Sequence, residues 1–222
     1  MIPLRDSLPS GSIPVVTLIL IAVNVLVFLQ QLALSPEEMH FFFAHYGVVP
    51  AHLQLSDLFT SMFLHGGFMH LIGNMWFLWI YGDNVEDVLG RAKFLLLYLA
   101  SGLTGSLLQI AADPTSTIPN IGASGAIAGV MGAYLLKFPH ARVLTLIPLF
   151  VFFFTRELPA FIILIYWFVL QFFSGVGSMA ESSTATGGVA FFAHVGGFLM
   201  GMLLIKVVPT KEAYRHRAEL RW

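Results

Sequence analysis

Six long apolar segments constrain this chain more than any other feature of its sequence. A helix needs about 20 residues to cross a hydrocarbon core of about 30 Å, and most of these segments approach that length. Charged residues make up only 10% of the chain, against about 25% in soluble domains. We therefore predict an all-α polytopic membrane protein, a single domain over residues 1–222 with six transmembrane helices. The predicted spans are 13–33, 57–81, 94–112, 124–138, 158–174 and 188–208.

Two apolar segments are short for a full crossing. Segment 124–138 suits a helix that starts below the membrane surface, with its N-terminus facing a cavity. Residues 143–155 would rise only about 20 Å as a helix, and Pro148 interrupts them while Arg142 and Arg156 flank them. We place residues 143–155 at the cytoplasmic interface, as a hairpin or a short helix.

All eleven Lys and Arg residues fall on one side of the membrane if the N-terminus is cytoplasmic and six segments cross. The loops on the other side, about 34–56, 113–123 and 175–187, contain none. Cytoplasmic loops are enriched in Lys and Arg, so we predict cytoplasmic termini, a six-helix core at about 13–208 and a basic cytoplasmic tail at 209–222. The first residues carry neither a cleavage site nor a presequence, which favours a bacterial or archaeal plasma membrane.

Two loops on the outer side have distinctive sequences. Residues 35–38, Ser-Pro-Glu-Glu, are typical of a helix start, and the aromatic residues 41–43 that follow indicate an amphipathic stretch in the outer leaflet. The stretch 174–188 is rich in Gly and Ser, which favours mobility. With the fifth span, 158–174, it is a candidate lid and gate.

The sequence lacks the residues that several kinds of catalysis and binding require. The chain has no cysteine, so disulfides and thiolate chemistry are excluded. A net charge of −1 without basic stretches gives no support for a nucleic-acid partner. None of the eight histidines precedes a glutamate, so the zinc-protease motif His-Glu-x-x-His is missing. Zinc held by histidines alone would lack a carboxylate base, and we predict neither a metal nor a cofactor.

Acidic residues are missing from the middle of every predicted span. Transporters and channels usually place acidic residues there, so their absence disfavours that class. An aspartyl protease would need two intramembrane aspartates. Asp83 and Asp87 instead fall in a predicted cytoplasmic turn at 82–92, beside Glu86, where we expect them to be solvated.

The motif Gly122-Ala123-Ser124-Gly125 opens the fourth segment. Its glycines let the backbone turn sharply and approach a ligand closely, and a helix N-terminus offers free N–H groups that can hold an oxyanion. Ser124 is therefore a candidate nucleophile. Taken alone, it is more simply an N-cap in a helix that packs through Gly125, Gly129 and Gly132.

His194 is the natural partner of Ser124. It precedes Gly197 and Gly201, a GxxxG step that allows close helix packing. The small-residue faces of the fourth and sixth helices can meet, which would bring the imidazole near Ser124. A lone membrane histidine is more often an interhelical hydrogen-bonding residue, but an ionisable group inside a span also marks a functional site.

His70 and Asn74 lie one turn apart on the second segment and share a helix face. They are donors that could complete an oxyanion site, or members of an interhelical hydrogen-bond cluster. His65, nearer the outer end, is expected to be structural and to tie down the first loop. Packing hydrogen bonds account for the other polar residues in or near the spans, which are Asn24, Gln109 and Gln171.

Together these residues resemble the rhomboid family of intramembrane serine proteases. The resemblance covers about residues 10–208 and rests on the Gly122–Gly125 motif, His194 with its glycines, and the second-segment histidines and Asn74. It implies Ser124 as nucleophile and His194 as general base and then acid. It also implies an oxyanion site from His70, Asn74 and the backbone around Gly122 and Ser124, transmembrane protein substrates, and no cofactor.

The chain departs from the family pattern at two places. Some relatives carry an aromatic residue four positions after the serine, where this chain has Ala128, so Phe191, Trp167 or another Phe must position the histidine ring. Some also carry a Trp-Arg pair in the first loop, where this chain reads Leu55-Ser56-Asp57-Leu58. The alternative function is that of a rhomboid-like pseudoprotease that binds membrane clients without cutting them.

Overall fold

The computed structural model describes residues 1–149, 151–180 and 190–211. Helices make up most of this part of the chain, and three strands form one small sheet. The helices are α1 (Val15–Gln31), α2 (Pro36–Tyr46), α3 (Asp57–Thr60), α4 (Phe68–Leu89), α5 (Arg91–Ala112), α6 (Ser124–Lys137), α7 (Ala160–Ala180) and α8 (Phe191–Val207). The strands are β1 (Ile2–Asp6), β2 (Arg142–Leu149) and β3 (Phe152–Pro159).

Helix α6 lies at the centre of the bundle. It contacts α4, α5, α7 and α8, and every residue from Gly125 to Tyr134 is buried. Its packing on α8 depends on the absence of side chains at the glycines. A Cβ atom at Gly197 would lie 1.9 Å from the carbonyl oxygen of Gly125, and one at Gly201 would lie 1.8 Å from that of Gly129. The two backbones are therefore in contact, as the glycine series predicted.

The outer faces of the helices are apolar. Large hydrophobic side chains such as Leu26 on α1, Leu96 on α5 and Leu203 on α8 are more than half exposed, which is expected where lipid covers the surface. Among the described residues, one helix, Arg91–Ala112, is both long and apolar enough to cross a membrane. Shorter apolar helices are Val15–Gln31, Ala160–Phe173 and Phe191–Val207, and the count of six spans stays a prediction.

The second predicted span is placed differently in the structure. Residues 57–63 form α3 and a 3₁₀ turn, and α4 then runs from Phe68 to Leu89. The predicted cytoplasmic turn at 82–92 is therefore wrong, because its first eight residues are helical and only Gly90, at φ +78°, separates α4 from α5. Glycine suits this left-handed backbone, which other residues rarely adopt.

Two acidic residues of that stretch, Glu86 and Asp87, were predicted to be solvated, and the structure shows that they are buried. Glu86 is 3% exposed and Asp87 is 8% exposed. Glu86 accepts hydrogen bonds from the N–H groups of Val16 (2.9 Å) and Thr17 (2.8 Å) and from the Thr17 hydroxyl (2.9 Å). The first N–H groups of a helix have no partner within it. The carboxylate is buried because it caps the N-terminus of α1.

Strands β2 and β3 form a β-hairpin, one of the two arrangements predicted for residues 143–155. Its strands pair in antiparallel register from Arg142 with Pro159 to Leu149 with Phe152. The N-terminal strand β1 pairs antiparallel with β2 and completes a sheet of order β1-β2-β3. The all-α prediction missed this sheet, because β1 is too short to show periodicity and gains its stability from β2.

The first loop folds as predicted at its start. Ser35 caps α2, accepting from the Glu38 N–H, while the Glu38 carboxylate accepts from the Ser35 N–H. Further along, Val48 and Asn120 form a β-bridge, and the Ala51 N–H donates to the Ser116 carbonyl at 3.0 Å. These backbone contacts anchor the loop without the Trp-Arg pair of some relatives.

The predicted outer loop at 174–188 is only partly a loop. Helix α7 continues through residues 174–178 to Ala180, so the glycines in this stretch do not end the helix. The remaining part of the candidate lid, 181–188, and most of the basic tail, 212–222, lie outside the described residues.

Candidate active site

The structure brings Ser124 and His194 into contact. Ser124 is the first residue of α6, and His194 lies in the first turn of α8. The close approach of these two helices places the Ser124 Oγ 2.7 Å from the His194 Nε2. His194 is buried, with 6% of its surface exposed. A neutral imidazole with its lone pair on Nε2 can accept the serine proton at this distance.

Two residues of α7 hold the ring of His194. The Oε1 atom of Gln171 lies 2.8 Å from the His194 Nδ1. The ring of Trp167 packs against the imidazole, with centroids 5.5 Å apart and planes inclined at 40°. Trp167 thus packs against the histidine ring in place of the aromatic residue that some relatives carry at the position of Ala128. It was one of the three alternatives predicted.

Sequence reasoning assigned Gln171 to helix packing and missed its contact with the histidine. One signal was present in the sequence. Trp167 and Gln171 are four residues apart, so they share one face of α7. A face that presents an aromatic ring and an amide together, on an otherwise apolar helix, points to a shared polar target.

His70 lies beside the backbone at Gly122. Gly122 has φ +125°, and a Cβ atom there would lie 2.7 Å from the His70 Nε2. The Gly66 N–H donates to the His70 Nδ1 at 3.3 Å. Since Nδ1 accepts a hydrogen bond, the proton of a neutral His70 is on Nε2. The Nε2–H group therefore lies beside the loop backbone that leads into Ser124.

Asn74 and His65 form a second polar contact at the same end of α4. The Asn74 Nδ2 lies 3.0 Å from the His65 Nε2 and donates to it. The Gln31 side chain of α1 pairs with the His65 backbone in both directions, at 2.8 Å and 3.1 Å. His65 therefore ties the start of α4 to α1, and it orients Asn74.

The backbone of Gly122 is itself fixed. Its N–H donates to the Ser61 carbonyl at 2.9 Å, so this amide is already used. Further donors beside the serine are the N–H groups in the first turn of α6, which have no acceptor within the helix itself.

A cavity of about 620 Å³ joins these groups. Ser124, His194, His70, Asn74 and Gln171 all line it. The remaining lining is mostly apolar and includes Met69, Phe77, Ile127 and Trp167. A largely apolar cavity with a few convergent polar groups is the usual form of a binding site for an apolar chain.

No cluster of three or more His, Asp or Glu side chains that could hold a metal ion occurs within 1–149, 151–180 and 190–211. The polar groups of the cavity instead suit acid–base and nucleophilic chemistry. The absence of a metal and a cofactor stays a prediction.

The fold and the site define a helical membrane-type protein with a serine–histidine pair inside an apolar cavity. Comparison with known proteins identifies its family. The Rhomboid domain model matches residues 52–210, and the chain belongs to the rhomboid family.

Individual relatives agree with this assignment. The chain is 33% identical over 179 residues to Rhomboid protein 1, mitochondrial, of Saccharomyces cerevisiae, covering 75% of this chain and 46% of that protein. It is 36% identical over 126 residues to Rhomboid protease GluP of Bacillus subtilis, covering 55% and 24%. It is also 40% identical over 78 residues to the putative rhomboid protease YdcA of the same bacterium, covering 35% and 39%. The chain thus spans less than half the length of these relatives.

Proposed function

We propose that the protein is an intramembrane serine endopeptidase that cuts transmembrane segments of other membrane proteins. The observation that carries this proposal is the 2.7 Å contact between the Ser124 Oγ and the His194 Nε2 at the edge of an apolar cavity. Membership of a family that contains named proteases supports it. Ser124 is the nucleophile, and His194 is the general base.

The proposed reaction has two halves. In the first, the Ser124 Oγ bonds to the substrate carbonyl carbon and its proton passes to the His194 Nε2. His194 then gives this proton to the leaving amide nitrogen, the C–N bond breaks, and an acyl-enzyme remains. In the second, a water loses a proton to His194 and bonds to the acyl carbon. The proton returns to the Ser124 Oγ as the acid product leaves.

Donors around Ser124 stabilise the negative oxygen that forms in each half. The first-turn N–H groups of α6 point along the helix axis towards the serine side of the cavity. The His70 Nε2–H and the Asn74 amide line the same cavity. One donor of this kind is typically worth about 10²–10³ in rate.

The substrate must present an unwound peptide bond. Inside a helix the peptide bond is hydrogen-bonded and shielded, so a segment with Gly, Pro or other poor helix formers unwinds at lower cost. The water for the second half must enter from the extracytoplasmic side. In the proposed topology the α6 and α8 N-termini therefore face that side, and the sheet faces the cytoplasm.

Relatives from mitochondria and from bacteria both match the chain, so a bacterial or archaeal plasma membrane stays a prediction. The proposed six-span topology is testable because the chain contains no cysteine. Single cysteines at Thr117 and at Val151, both exposed, should react from opposite sides of the membrane in intact cells. Labelling of both from the same side would contradict the topology.

Cleavage of a transmembrane reporter in proteoliposomes tests the proposed function. The wild type should cut it and should bind a fluorophosphonate probe covalently at Ser124. Ser124→Ala and His194→Ala should each abolish cleavage while leaving the fold nearly intact, and Thr117→Ala, which removes an exposed loop hydroxyl, should cut normally. Equal cutting by wild type and Ser124→Ala would contradict the assignment. A wild type that binds clients but neither cuts nor labels would indicate a pseudoprotease.

A further inference from the structure

We propose that Gln171 is the third member of the site, a positioning residue that fixes the tautomer and orientation of His194. This inference rests on the proposed protease function and assigns a role to a residue on a third helix. Three groups lie in one hydrogen-bonded line. Gln171 Oε1 is 2.8 Å from His194 Nδ1, and His194 Nε2 is 2.7 Å from Ser124 Oγ.

The amide oxygen decides which nitrogen carries the proton. A carbonyl oxygen accepts and cannot donate, so the His194 Nδ1 must hold the hydrogen of the neutral ring. Nε2 then has a free lone pair directed at the serine proton. In the opposite tautomer Nε2 would donate to the Ser124 Oγ, and the ring could not act as a base.

An amide suits this site better than a carboxylate. The third residue faces a mostly apolar cavity, where a permanent negative charge would be expensive and a neutral amide much less so. The amide oxygen still stabilises the imidazolium that forms during proton transfer, through its dipole. Gln171 therefore orients the His194 ring at a low desolvation cost. It stabilises the imidazolium less than an aspartate would.

Helix α7 carries both groups that hold the ring. Trp167 and Gln171 are one turn apart on the face that packs against α8. A lateral displacement of α7 away from α8 would open the cavity and, at the same time, release the imidazole from both contacts. His194 is therefore held in position as a base only while residues 167–171 of α7 stay packed against α8. A substrate must enter without displacing this turn.

Two substitutions separate positioning from simple packing. Gln171→Met keeps the length and apolar volume of the side chain but removes the acceptor. Gln171→Glu keeps an acceptor and adds a charge. Leu170→Met is the matched control, since Leu170 is the neighbouring residue on α7 and its side chain is 46% exposed.

Reporter cleavage and the rate of fluorophosphonate labelling at Ser124 are measured from pH 5 to pH 9. Gln171→Met should lower kcat and the labelling rate about 10- to 100-fold, a part of the 10²–10⁴ that a general base supplies, with KM unchanged. Gln171→Glu should retain much more activity, with the rising limb of its pH profile moved to higher pH because a carboxylate favours the imidazolium. Leu170→Met should match the wild type.

Wild-type activity in Gln171→Met would overturn the proposal. So would equal losses in Gln171→Met and Gln171→Glu accompanied by equal falls in melting temperature, since that pattern belongs to packing alone. ¹⁵N NMR of the imidazole, with the His194 signals identified by their loss in His194→Gln, gives a readout that needs no activity. The proton should sit on Nδ1 in the wild type and distribute over both nitrogens in Gln171→Met. If the wild type neither cuts nor labels, the protease function fails, while the tautomer measurement still decides the role of Gln171.

Discussion

The two ends of the helix bundle use polar residues in opposite ways. At the end where α6 and α8 begin, Ser124, His194 and His70 face a cavity and keep hydrogen-bonding capacity for a ligand. At the end where α4 and α6 finish, polar side chains form hydrogen bonds with other groups of the chain. The same helices thus carry reactive groups at one end and structural ones at the other. The difference is that the groups at the first end line a cavity that a ligand can enter, whereas the carboxylates at the second end bond to the N-terminal segment.

The partners at the structural end come from the first seventeen residues. Glu86 receives three donors from the start of α1. Asp87 accepts from the Gly11 N–H and the Ser12 hydroxyl, and Asp83 accepts from the Ser10 hydroxyl. Three carboxylates of α4 therefore fasten the N-terminal segment to the bundle. Substitutions there should change stability and leave the chemistry of folded molecules intact.

The largest effect is expected at the glycines that bring the site together. A Cβ atom at Gly197 would meet the Gly125 backbone oxygen at 1.9 Å, and backbone cannot rotate away as a side chain can. Gly197→Ala should lower the free energy of unfolding by at least the 1–3 kcal/mol typical of overpacking and separate Ser124 from His194. The measurement is the melting temperature together with fluorophosphonate labelling.

Gly73→Ala is the control for that substitution. A Cβ atom at Gly73 meets nothing within 4 Å, and alanine favours the helix relative to glycine by about 1 kcal/mol. Its melting temperature should be equal to or above that of the wild type. Similar destabilisation by both alanines would show that close α6–α8 contact is not what holds the site.

Removal of the oxyanion donor His70 should come next, and it should affect the rate far more than the stability. His70→Ala is expected to lower kcat by about 10²–10³. The melting temperature should change little, because the His70 Nε2 faces the cavity. Asn74→Ala should also slow cleavage but cost more stability, since Asn74 donates to the buried His65 at 3.0 Å. A His70→Ala enzyme with the wild-type kcat would remove His70 from the oxyanion site.

Loss of the Glu86 cap should produce the reverse pattern. Glu86→Ala leaves the N–H groups of Val16 and Thr17 without their acceptor, the first in a partly buried and the second in a buried position. The expected cost is about 2–4 kcal/mol, on the order of 1–3 kcal/mol for each unsatisfied group with some recovery from water. Kcat per folded molecule should not change. The exposed Glu37 offers the control, since Glu37→Ala should leave both quantities unaltered.

The site was more predictable from sequence than the structural end. Ser124 and His194 are marked by flanking glycines, and Trp167 was among the alternatives for holding the ring, because such features depend on local spacing. The partners of Glu86 and Asp87 were missed because backbone N–H groups and common serines at the start of the chain form no recognisable motif. Local hydropathy shows three acidic residues and predicts a solvated turn, and only the tertiary contact with the N-terminal segment reverses that conclusion.

The smallest predicted effect concerns pH and the strand β1. Burial raises the pKa of Asp6 from its ordinary value of 3.8 to about 7, with the charge of Asp83 acting in the same direction and the hydrogen bond from Tyr134 opposing both. The Tyr134 hydroxyl lies 2.6 Å from the Asp6 Oδ2, and the Asn84 amide lies 3.1 Å from it. A raised pKa means that the folded state binds the proton more tightly than the unfolded state.

The stabilisation from Asp6 is therefore complete below about pH 4 and is lost as the pH rises through about 7. We expect β1 to dock more firmly at pH 5 than at pH 8, by about 1–2 kcal/mol after allowance for partial exposure. Hydrogen exchange of residues 2–6 measures this directly. Asp6→Asn imitates the protonated carboxyl, so the wild type and the variant should coincide at pH 5, with the variant better protected at pH 8. A constant difference across this range would mean that Asp6 keeps its ordinary pKa, and that the polar groups around it stabilise its charge as fully as water does.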